Sequence, residues 1–505
     1  MDLINSFDEL FFRFRPYFHR IETYERARAL AYSHIITYGR HMISRMICSK
    51  NEQFKDWSAD YKLFSQRQWN AEDLEFEIFK ECDQHCDWYQ NAVLAVMDET
   101  HCPKTGKKIK AVRTLRDPMS LPYHINLNPA IRLLQVSCVI NPQNRYDTAR
   151  AVPVYLKEAA PAKRPRKNES QEAFEHYKNE QKEKKVSVVG HQTALLIRRQ
   201  VDKLPNGTNK PLFLSADGSF CNKAFLQNLP ATIIYIVRTR KDLKIYKPFE
   251  SPQSDGKGRH KVYGDRLPSP EEIRKSDDYP WQTESIYATD KFHQLRFKTI
   301  APVLWQNGTG PVPQRLIIIE PLRYRKSKNS KLLYRNPAYF LTPYVDVPIK
   351  ILLQYYFFRW DIEVNHQDEK SIMGLGDAQV RSDKSVERNP QFTMMVYSLL
   401  LLAGVNAYGP ERTKDYLPLP AWRKGKTRRP STLDLVSEFR REIMVQQLQQ
   451  DIKQLDSIKR KKRKRKKPHS KIEAKKRGFV THADMITKPV KLPVNILASM
   501  LYSYS

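Results

Sequence analysis

The stretch YFFRWDIEVNHQDEK, residues 356–370, has the pattern Y-x2-R-x3-E-x6-K, formed by Tyr356, Arg359, Glu363 and Lys370. At 100° per residue these positions fall at about 0, 300, 340 and 320°, so one helix would carry all four on a face about 60° wide. A carboxylate among three groups that can bind phosphate indicates phosphate chemistry. The alternative is a solvated or salt-bridged helix face. Other parts of the chain decide between the two.

The charge of the chain favours a polyanionic partner. Among its 505 residues, Lys and Arg number 87 against 55 Asp and Glu, which gives a net charge of +32. An excess of this size favours nucleic acid over an acidic membrane surface. The most apolar run, residues 394–405, is shorter than the roughly 20 residues that a membrane-spanning helix needs, so we expect a core helix there and no membrane partner.

The cysteines predict a reducing compartment. All six lie in the first half of the chain at irregular spacing, which is typical of reduced, mostly buried thiols in a cytosolic protein. Cys82, His85 and Cys86, with His101 and Cys102 downstream, match the spacing of structural zinc sites poorly. The N-terminal residues also lack a basic segment followed by a cleavage site, so we expect no secretory signal.

Short apolar runs predict the strands of a catalytic core. AVLAVMD (92–98) and PLFLSAD (211–217) each end in an acid, as buried strands do when they present a carboxylate at one sheet edge. Two β-rich runs, 131–140 and 149–156, follow the first of them, and 231–238 follows the second. This is the chain order of a ribonuclease-H-like α/β fold.

In that fold the first and fourth strands are neighbours, so Asp98 and Asp217 would come together and the helix with Glu363 would cross the same edge. Three acids without a cation repel one another, and two divalent ions relieve that repulsion. Carboxylate oxygens suit two Mg²⁺ or Mn²⁺ ions. Adjacent side chains of a strand point to opposite faces, so Glu99 cannot share the site with Asp98.

The composition and the apolar pattern change at four positions along the chain, which predicts five regions. Short strands punctuated by Pro, Gly and Asn indicate a β-rich insertion in the core, and a run of nine basic residues, 459–467, follows the last amphipathic helix. The predicted regions are a helical DNA-binding region (1–90), the first part of the core (91–238), the β-rich insertion (239–346), the second part of the core (347–410) and a helical region with a basic tail (411–505).

The chain resembles the DDE transposases of bacterial insertion sequences, in the group with the Y-x2-R-x3-E-x6-K signature, often called the insertion-sequence-four type. Four stretches are similar to sequences of that family: MDETHCPKTGK, SADGSFCNKAFL, IVRTRKD and RWDIEVNHQDEKSIMGLGDAQVRS. The resemblance covers about residues 90–405. It implies that Asp98, Asp217 and Glu363 bind metal and catalyse. It also implies that Tyr356, Arg359 and Lys370 contact phosphates at the cut.

Further DNA contacts are weaker expectations. Arg238 ends the strand after Asp217 and resembles a DNA-contacting arginine of the family; the alternative is a salt bridge at the strand end. Trp360 could stack on an unpaired base, although a buried tryptophan is the commoner interpretation. ITYGRHMISRMI (35–46) could be a helix-turn-helix element that presents Arg40 and Arg45, or a plain helical domain.

Together these features predict a transposase that cuts double-stranded DNA at terminal inverted repeats and joins the 3′ ends to target DNA. Joining two ends implies a homodimer in the working complex, in the bacterial cytoplasm at the nucleoid. Two alternatives stay open. One is a transposase-derived DNA-binding protein that does not cleave, and the other is a ribonuclease-H-like nuclease or resolvase.

Overall fold

A computed structural model describes residues 2–66, 68–106, 108–117, 120–121, 123–250, 261–288, 291–325, 329–422 and 428–465, with residues 458–465 described by their backbone alone. The helices are α1 Leu3–Phe12, α2 Ile21–Ile36, α3 Ile43–Ser49, α4 Ser58–Ser65, α5 Ala71–Gln84, α6 Gln171–Glu183, α7 Val186–Asp202, α8 Lys223–Leu226, α9 Pro270–Lys275, α10 Ile349–Phe357, α11 Trp360–Ser371, α12 Asp383–Tyr408 and α13 Thr432–Arg465. The strands are β1 Val93–Pro103, β2 Arg113–Arg116, β3 Leu127–Ile140, β4 Arg150–Glu158, β5 Leu212–Ala216, β6 Ile233–Arg238, β7 Tyr246–Pro248, β8 Tyr263–Arg266, β9 Gln282–Ala288, β10 Lys291–Trp305, β11 Gly310–Ile319, β12 Arg323–Tyr324, β13 Leu333–Tyr334 and β14 Ala338–Pro343.

One large mixed sheet organises the protein. Its strands follow the order β2-β3-β1-β5-β6-β14-β11-β10-β7-β8, with β4 paired to β3 and β9 paired to β10. β3 is antiparallel to both β1 and β4, whereas β5 and β6 run parallel to β1. All five residues of β5 are buried, as expected for a strand that is covered on both faces. The sheet and its helices form a mixed α/β protein.

The predicted neighbours β1 and β5 pair in parallel from Val93↔Leu212 to Met97↔Ala216. The apolar run predicted that β1 ends at Asp98, and this prediction is wrong. The strand continues to Pro103 because β3 runs beside it and pairs as far as Pro103↔Ala130. Asp98 therefore lies within a strand, at the position where the pairing with β5 has just stopped.

The strands of the predicted insertion continue the same sheet. β14 pairs with β6 at Phe340↔Arg238 and Leu341↔Val237, and β11 and β10 follow outward. The segment between β6 and β14 thus begins and ends at neighbouring strands of the sheet. The boundary between β6 and the residues that follow it is not a boundary of the sheet.

Helix α12 is the core helix that the apolar run predicted. It packs against β4 and against α1, α4 and α5 of the N-terminal helices. Within the described residues it is the one helix whose length and composition would allow a membrane span, but 78% of its apolar window is buried inside the protein. A helix covered in this way is typical of the core of a soluble fold.

The signature does not lie on a single continuous helix, which corrects the prediction. Tyr356 belongs to α10, Arg359 lies in the turn between α10 and α11, and Glu363 and Lys370 belong to α11. The hydrogen bonds in this turn join residues three apart, from the Arg359 amide to the Tyr356 carbonyl (3.0 Å) and from the Ile362 amide to the Arg359 carbonyl (3.2 Å). Such bonds tighten the turn without reversing the chain.

The buried position of α12 makes a stability prediction. Leu400 is fully buried, so Leu400→Ala should lower the free energy of unfolding by about 2–5 kcal/mol through a lost apolar contact and a cavity. Leu433→Ala on α13, where the side chain is 48% exposed, is the matched control and should change it by less than about 0.5 kcal/mol. Urea unfolding followed by circular dichroism measures both; equal losses would contradict the placement of α12.

Candidate active site

Asp98 and Asp217 lie at one edge of the sheet because their strands are parallel neighbours. Asp217 directly follows β5 and begins a short 3₁₀ helix, Gly218–Phe220. Its Oδ1 accepts hydrogen bonds from the Ser219 amide (2.8 Å) and the Ser219 hydroxyl (2.6 Å). In Asp98, Oδ1 accepts from the amide of Glu99 at 2.8 Å. Both carboxylates are therefore oriented by a backbone amide one or two residues further along the chain.

Arg359 joins Asp98 to Glu363. Its Nη1 donates to Asp98 Oδ2 at 3.3 Å and its Nη2 donates to Glu363 Oε1 at 2.7 Å. The Arg359 side chain is 14% exposed and its Nε has no hydrogen-bond partner. One guanidinium thus bridges a strand carboxylate and a helix carboxylate 265 positions apart in the chain. It supplies the positive charge that lets the two acids approach.

The electrostatics of Asp98 show how crowded the negative charge is. The pKa of Asp98 is raised to about 7, mainly by burial and then by the charges of Asp217 and, more weakly, Glu363. Arg359 and the Glu99 amide act in the opposite direction. A neighbouring carboxylate raises a carboxyl pKa only over a short distance, so Asp217 and Glu363 lie near Asp98.

Tyr356 and Arg238 lie beside these acids. The Tyr356 ring packs on Phe340, with ring centroids 4.2 Å apart, and the Arg359 guanidinium lies 5.9 Å from the tyrosine ring centroid. Burial raises the pKa of Tyr356, while the positive charges of Arg359 and Arg238 lower it. Arg238 is exposed at the end of β6, opposite Phe340 of β14. The side chains of Tyr356 and Arg238 therefore lie close to the carboxylates.

Lys370 lies farther along α11. It is half-buried, and its charge acts on His101 and Cys102 of β1 and on His366. His366 is buried on the same helix. Its Nε2 has no hydrogen-bond partner, and burial together with the charges of Lys370 and Arg359 lowers its pKa to about 3. His366 is therefore neutral and packs inward.

The donor chemistry of this site fits divalent ions. Asp98, Asp217 and Glu363 offer hard carboxylate oxygens, and the repulsion that raises the Asp98 pKa is the repulsion that a bound cation relieves. Among the described residues, no three His, Cys, Asp or Glu side chains are already close enough to hold a metal ion together. Arg359 bridges Asp98 and Glu363, so its guanidinium would have to move away from these two acids before a metal ion could bind between them.

A comparison with protein families matches residues 58–311 to the family described as DDE superfamily endonuclease. This match covers half of the chain. The chain belongs to the DDE endonuclease superfamily. Asp98 and Asp217 lie inside the matched residues, whereas Glu363 lies beyond them. The family match therefore covers the two aspartates, and the Arg359 bridge is what connects Glu363 to Asp98. No curated protein matches the chain.

Three further predicted DNA contacts of this DDE endonuclease are exposed side chains. Trp360 is 62% exposed although its neighbours pack inward, which corrects the expectation of a buried tryptophan. Arg40 and Arg45 are exposed near α3, and Arg45 Nη1 donates to the Tyr38 carbonyl at 3.1 Å. His41, which belongs to the same predicted element, is buried beside Asp377 and does not face solvent.

Sequence reasoning missed the way this site is supported. The Lys104 Nζ donates to the carbonyls of Gly376 and Ala378 (2.7 Å to the latter) and so holds the loop after α11. Ser219 orients Asp217, and the motif Asp-x-Ser after a strand is the signal that predicts such a turn. The Glu99 carboxylate pairs with Arg132 (3.6 Å); burial raises its pKa, and the charge of Asp217 raises it further.

The raised pKa of Asp98 predicts a pH-dependent instability of the metal-free DDE endonuclease. The folded state binds a proton more tightly than the unfolded state, so stability falls as pH rises from about 4 towards 7. Asp98→Asn should therefore stabilise the protein at pH 8 relative to pH 5, by on the order of a few kcal/mol.

Chemical denaturation in a chelating buffer at the two pH values measures this difference. The exposed Asp278 provides the control, because Asp278→Asn should change stability equally at both pH values. A loss of stability in Asp98→Asn that is the same at pH 5 and pH 8 would contradict the crowding of the acids.

Proposed function

We propose that this DDE endonuclease is a transposase of the Y-x2-R-x3-E-x6-K group, which cuts DNA at the ends of a mobile element and joins the 3′ ends to target DNA. The observation that carries the proposal is the Arg359 bridge, which brings Glu363 to Asp98 beside Asp217. DNA is the substrate that the superfamily implies, and the net charge of +32 suits it.

The strand order supports a ribonuclease-H-like core. Three antiparallel strands, β4, β3 and β1, are followed in the sheet by β5 and β6, which run parallel to β1. We propose residues 91–238 and 347–410 as the two parts of this core, 239–346 as the insertion, 1–90 as a DNA-binding region and 411–505 as the C-terminal region. Such a protein would act on the chromosome in the bacterial cytoplasm.

Asp98, Asp217 and Glu363 would hold two Mg²⁺ or Mn²⁺ ions. When bound, these ions activate the attacking water or 3′-hydroxyl and stabilise the leaving oxygen of the phosphodiester. The protein's own part is to keep the three carboxylates at one edge against their repulsion. The Ser219 donors fix Asp217, and the Glu99 amide fixes Asp98.

The cationic and aromatic groups would position the strand being cut. In the structure, Arg359 is occupied by carboxylates, and a phosphate offers the same planar pair of acceptors to its guanidinium. We propose that Arg359 exchanges carboxylates for phosphate when DNA binds. Tyr356, Lys370 and the exposed Arg238 would contact neighbouring phosphates, and the exposed Trp360 offers a stacking face for an unpaired base.

The triad is tested with substitutions that keep side-chain shape. Asp98→Asn, Asp217→Asn and Glu363→Gln should each lower Mg²⁺-dependent cleavage of DNA carrying the element's ends by at least about 10³-fold, because a carboxylate ligand is lost. DNA binding, measured by fluorescence anisotropy, should stay within a few-fold.

The matched control for these variants is Glu99→Gln, which changes the next side chain of the same strand but on its other face. It should cleave at the rate of the unchanged protein. Full cleavage by the Glu363→Gln variant, or loss of cleavage in the Glu99→Gln variant, would contradict the assignment of the triad.

Phosphate contacts are tested through the salt dependence of binding. Arg359→Met and Lys370→Met should each weaken binding to end DNA and reduce the slope of log K against log salt by about one for each lost contact. Lys110→Met is the control, since Lys110 is exposed and pairs with Asp383 at 2.7 Å. Slopes that stay unchanged in the first two variants would leave Arg359 and Lys370 with structural roles only.

A further inference from the structure

Helix α13 leaves the body of the protein part-way along its length. Its first turns pack against α1, α2 and α12 through buried Leu435, Val436 and Phe439. After the half-buried Ile443, every residue from 444 to 457 is exposed. A helix of this length without tertiary contacts is marginally stable in water. Something outside the described contacts is therefore expected to cover it.

The exposed part carries an apolar stripe. Val445, Leu448, Ile452 and Leu455 are 46, 60, 57 and 57% exposed, respectively. Relative to Val445 they fall at about 0, 300, 340 and 280°, so they share a face about 80° wide. Exposed apolar side chains that line up in this way mark an interaction surface rather than the scattered apolar residues of an ordinary surface.

This stripe is not a continuation of the face that holds α13 to the body. On the same scale the buried Leu435, Val436 and Phe439 lie at about 80, 180 and 120°, which is the opposite side of the helix. The part of the body that packs against the start of α13 therefore cannot cover the stripe. A partner would approach from the side that faces away from the body.

The spacing of the stripe identifies the kind of partner. The four residues are separated by three, four and three positions, which is the a-d-a-d spacing of a coiled coil. The two a positions are Val445 and Ile452, and the two d positions are Leu448 and Leu455. In parallel coiled coils, β-branched residues at a with leucine at d favour two strands over three or four.

The residues beside the stripe argue against DNA or a membrane as the partner of the stripe. Gln449, Asp451 and Asp456 flank it, and none of them is cationic. A helix that lies on an anionic membrane or on DNA needs Lys or Arg at those positions. The acids at 451 and 456 would repel phosphate, so the stripe itself suits protein rather than lipid or nucleic acid.

We propose that residues 445–455 of α13 form a parallel two-stranded coiled coil with the same residues of a second copy of this chain, before any DNA is bound. The body-facing side of each helix then points away from the seam. The basic runs 459–467 of both copies continue from the same end of the seam. Two heptads are few for a coiled coil, so we expect a reversible dimer.

The mass of the full-length protein in solution tests this surface without DNA or metal. At tens of micromolar, light scattering should give about twice the chain mass of 59.4 kDa. Leu448→Glu combined with Ile452→Glu should give the monomer mass, because charge is placed in the seam. Gln447→Glu combined with Gln450→Glu adds the same charge on the opposite face and should stay dimeric.

A cross-link tests the geometry of the seam. In a background with Cys48→Ser, which removes the exposed thiol, Leu448→Cys should form a disulfide-linked dimer under mild oxidation. Gln450→Cys, which faces outward, should form far less. Equal cross-linking of the two variants would contradict the coiled coil.

Two mass results would overturn the proposal. One is a monomeric unchanged protein at these concentrations. The other is a dimer that survives Leu448→Glu with Ile452→Glu. The apolar residues 489–505 of the same chain are the competing occupant. If their deletion turns a monomer into a dimer, they cover the stripe and the proposal is wrong. Because no readout involves cleavage, failure here is distinct from failure of the proposed function.

Discussion

The guanidinium of Arg359 holds together a site that would otherwise repel itself. Parallel pairing of β1 with β5 brings Asp98 and Asp217 to one edge of the sheet, and two carboxylates in a half-buried place raise each other's free energy. Adding Glu363 makes this worse unless a cation accompanies it. Arg359, four residues before Glu363, is that cation, and it reaches both Asp98 and Glu363. The third acid and its compensating charge therefore arrive on the same piece of chain.

The position of Arg359 depends in turn on the aromatic side chains around the break between α10 and α11. Tyr355 is fixed from α10, because its hydroxyl accepts from the Tyr89 amide at 2.9 Å and its ring packs edge-on against Phe213 of β5. Phe358 packs on Trp88 with ring centroids 5.4 Å apart. These contacts hold α10 and the turn against the sheet. Arg359 lies in this tight turn, and Glu363 follows one helical turn later on α11.

Sequence reasoning found the parts of this site that depend on local pattern. The strands ending near Asp98 and Asp217 were predictable because short apolar runs bounded by turn residues are typical of buried strands. It failed where the outcome depends on which distant element lies alongside. β1 extends past Asp98 because β3 pairs with it, Trp360 is exposed because α11 turns that face outward, and Lys104 is tied to a loop 272 positions away. Such contacts leave no periodic signal in the segment itself.

The long excursion between the second and third acids is tolerable because it closes on itself. The chain leaves the core sheet at the end of β6 and returns as β14, and Phe340 pairs with Arg238, the last residue of β6. The Thr239 amide also donates to the Tyr339 carbonyl at 2.8 Å, so departure and return are clamped together. From β14 the chain needs only a few residues to reach α10. The distance from Asp217 to Glu363 is therefore set by one strand pair, and not by the 145 residues between them.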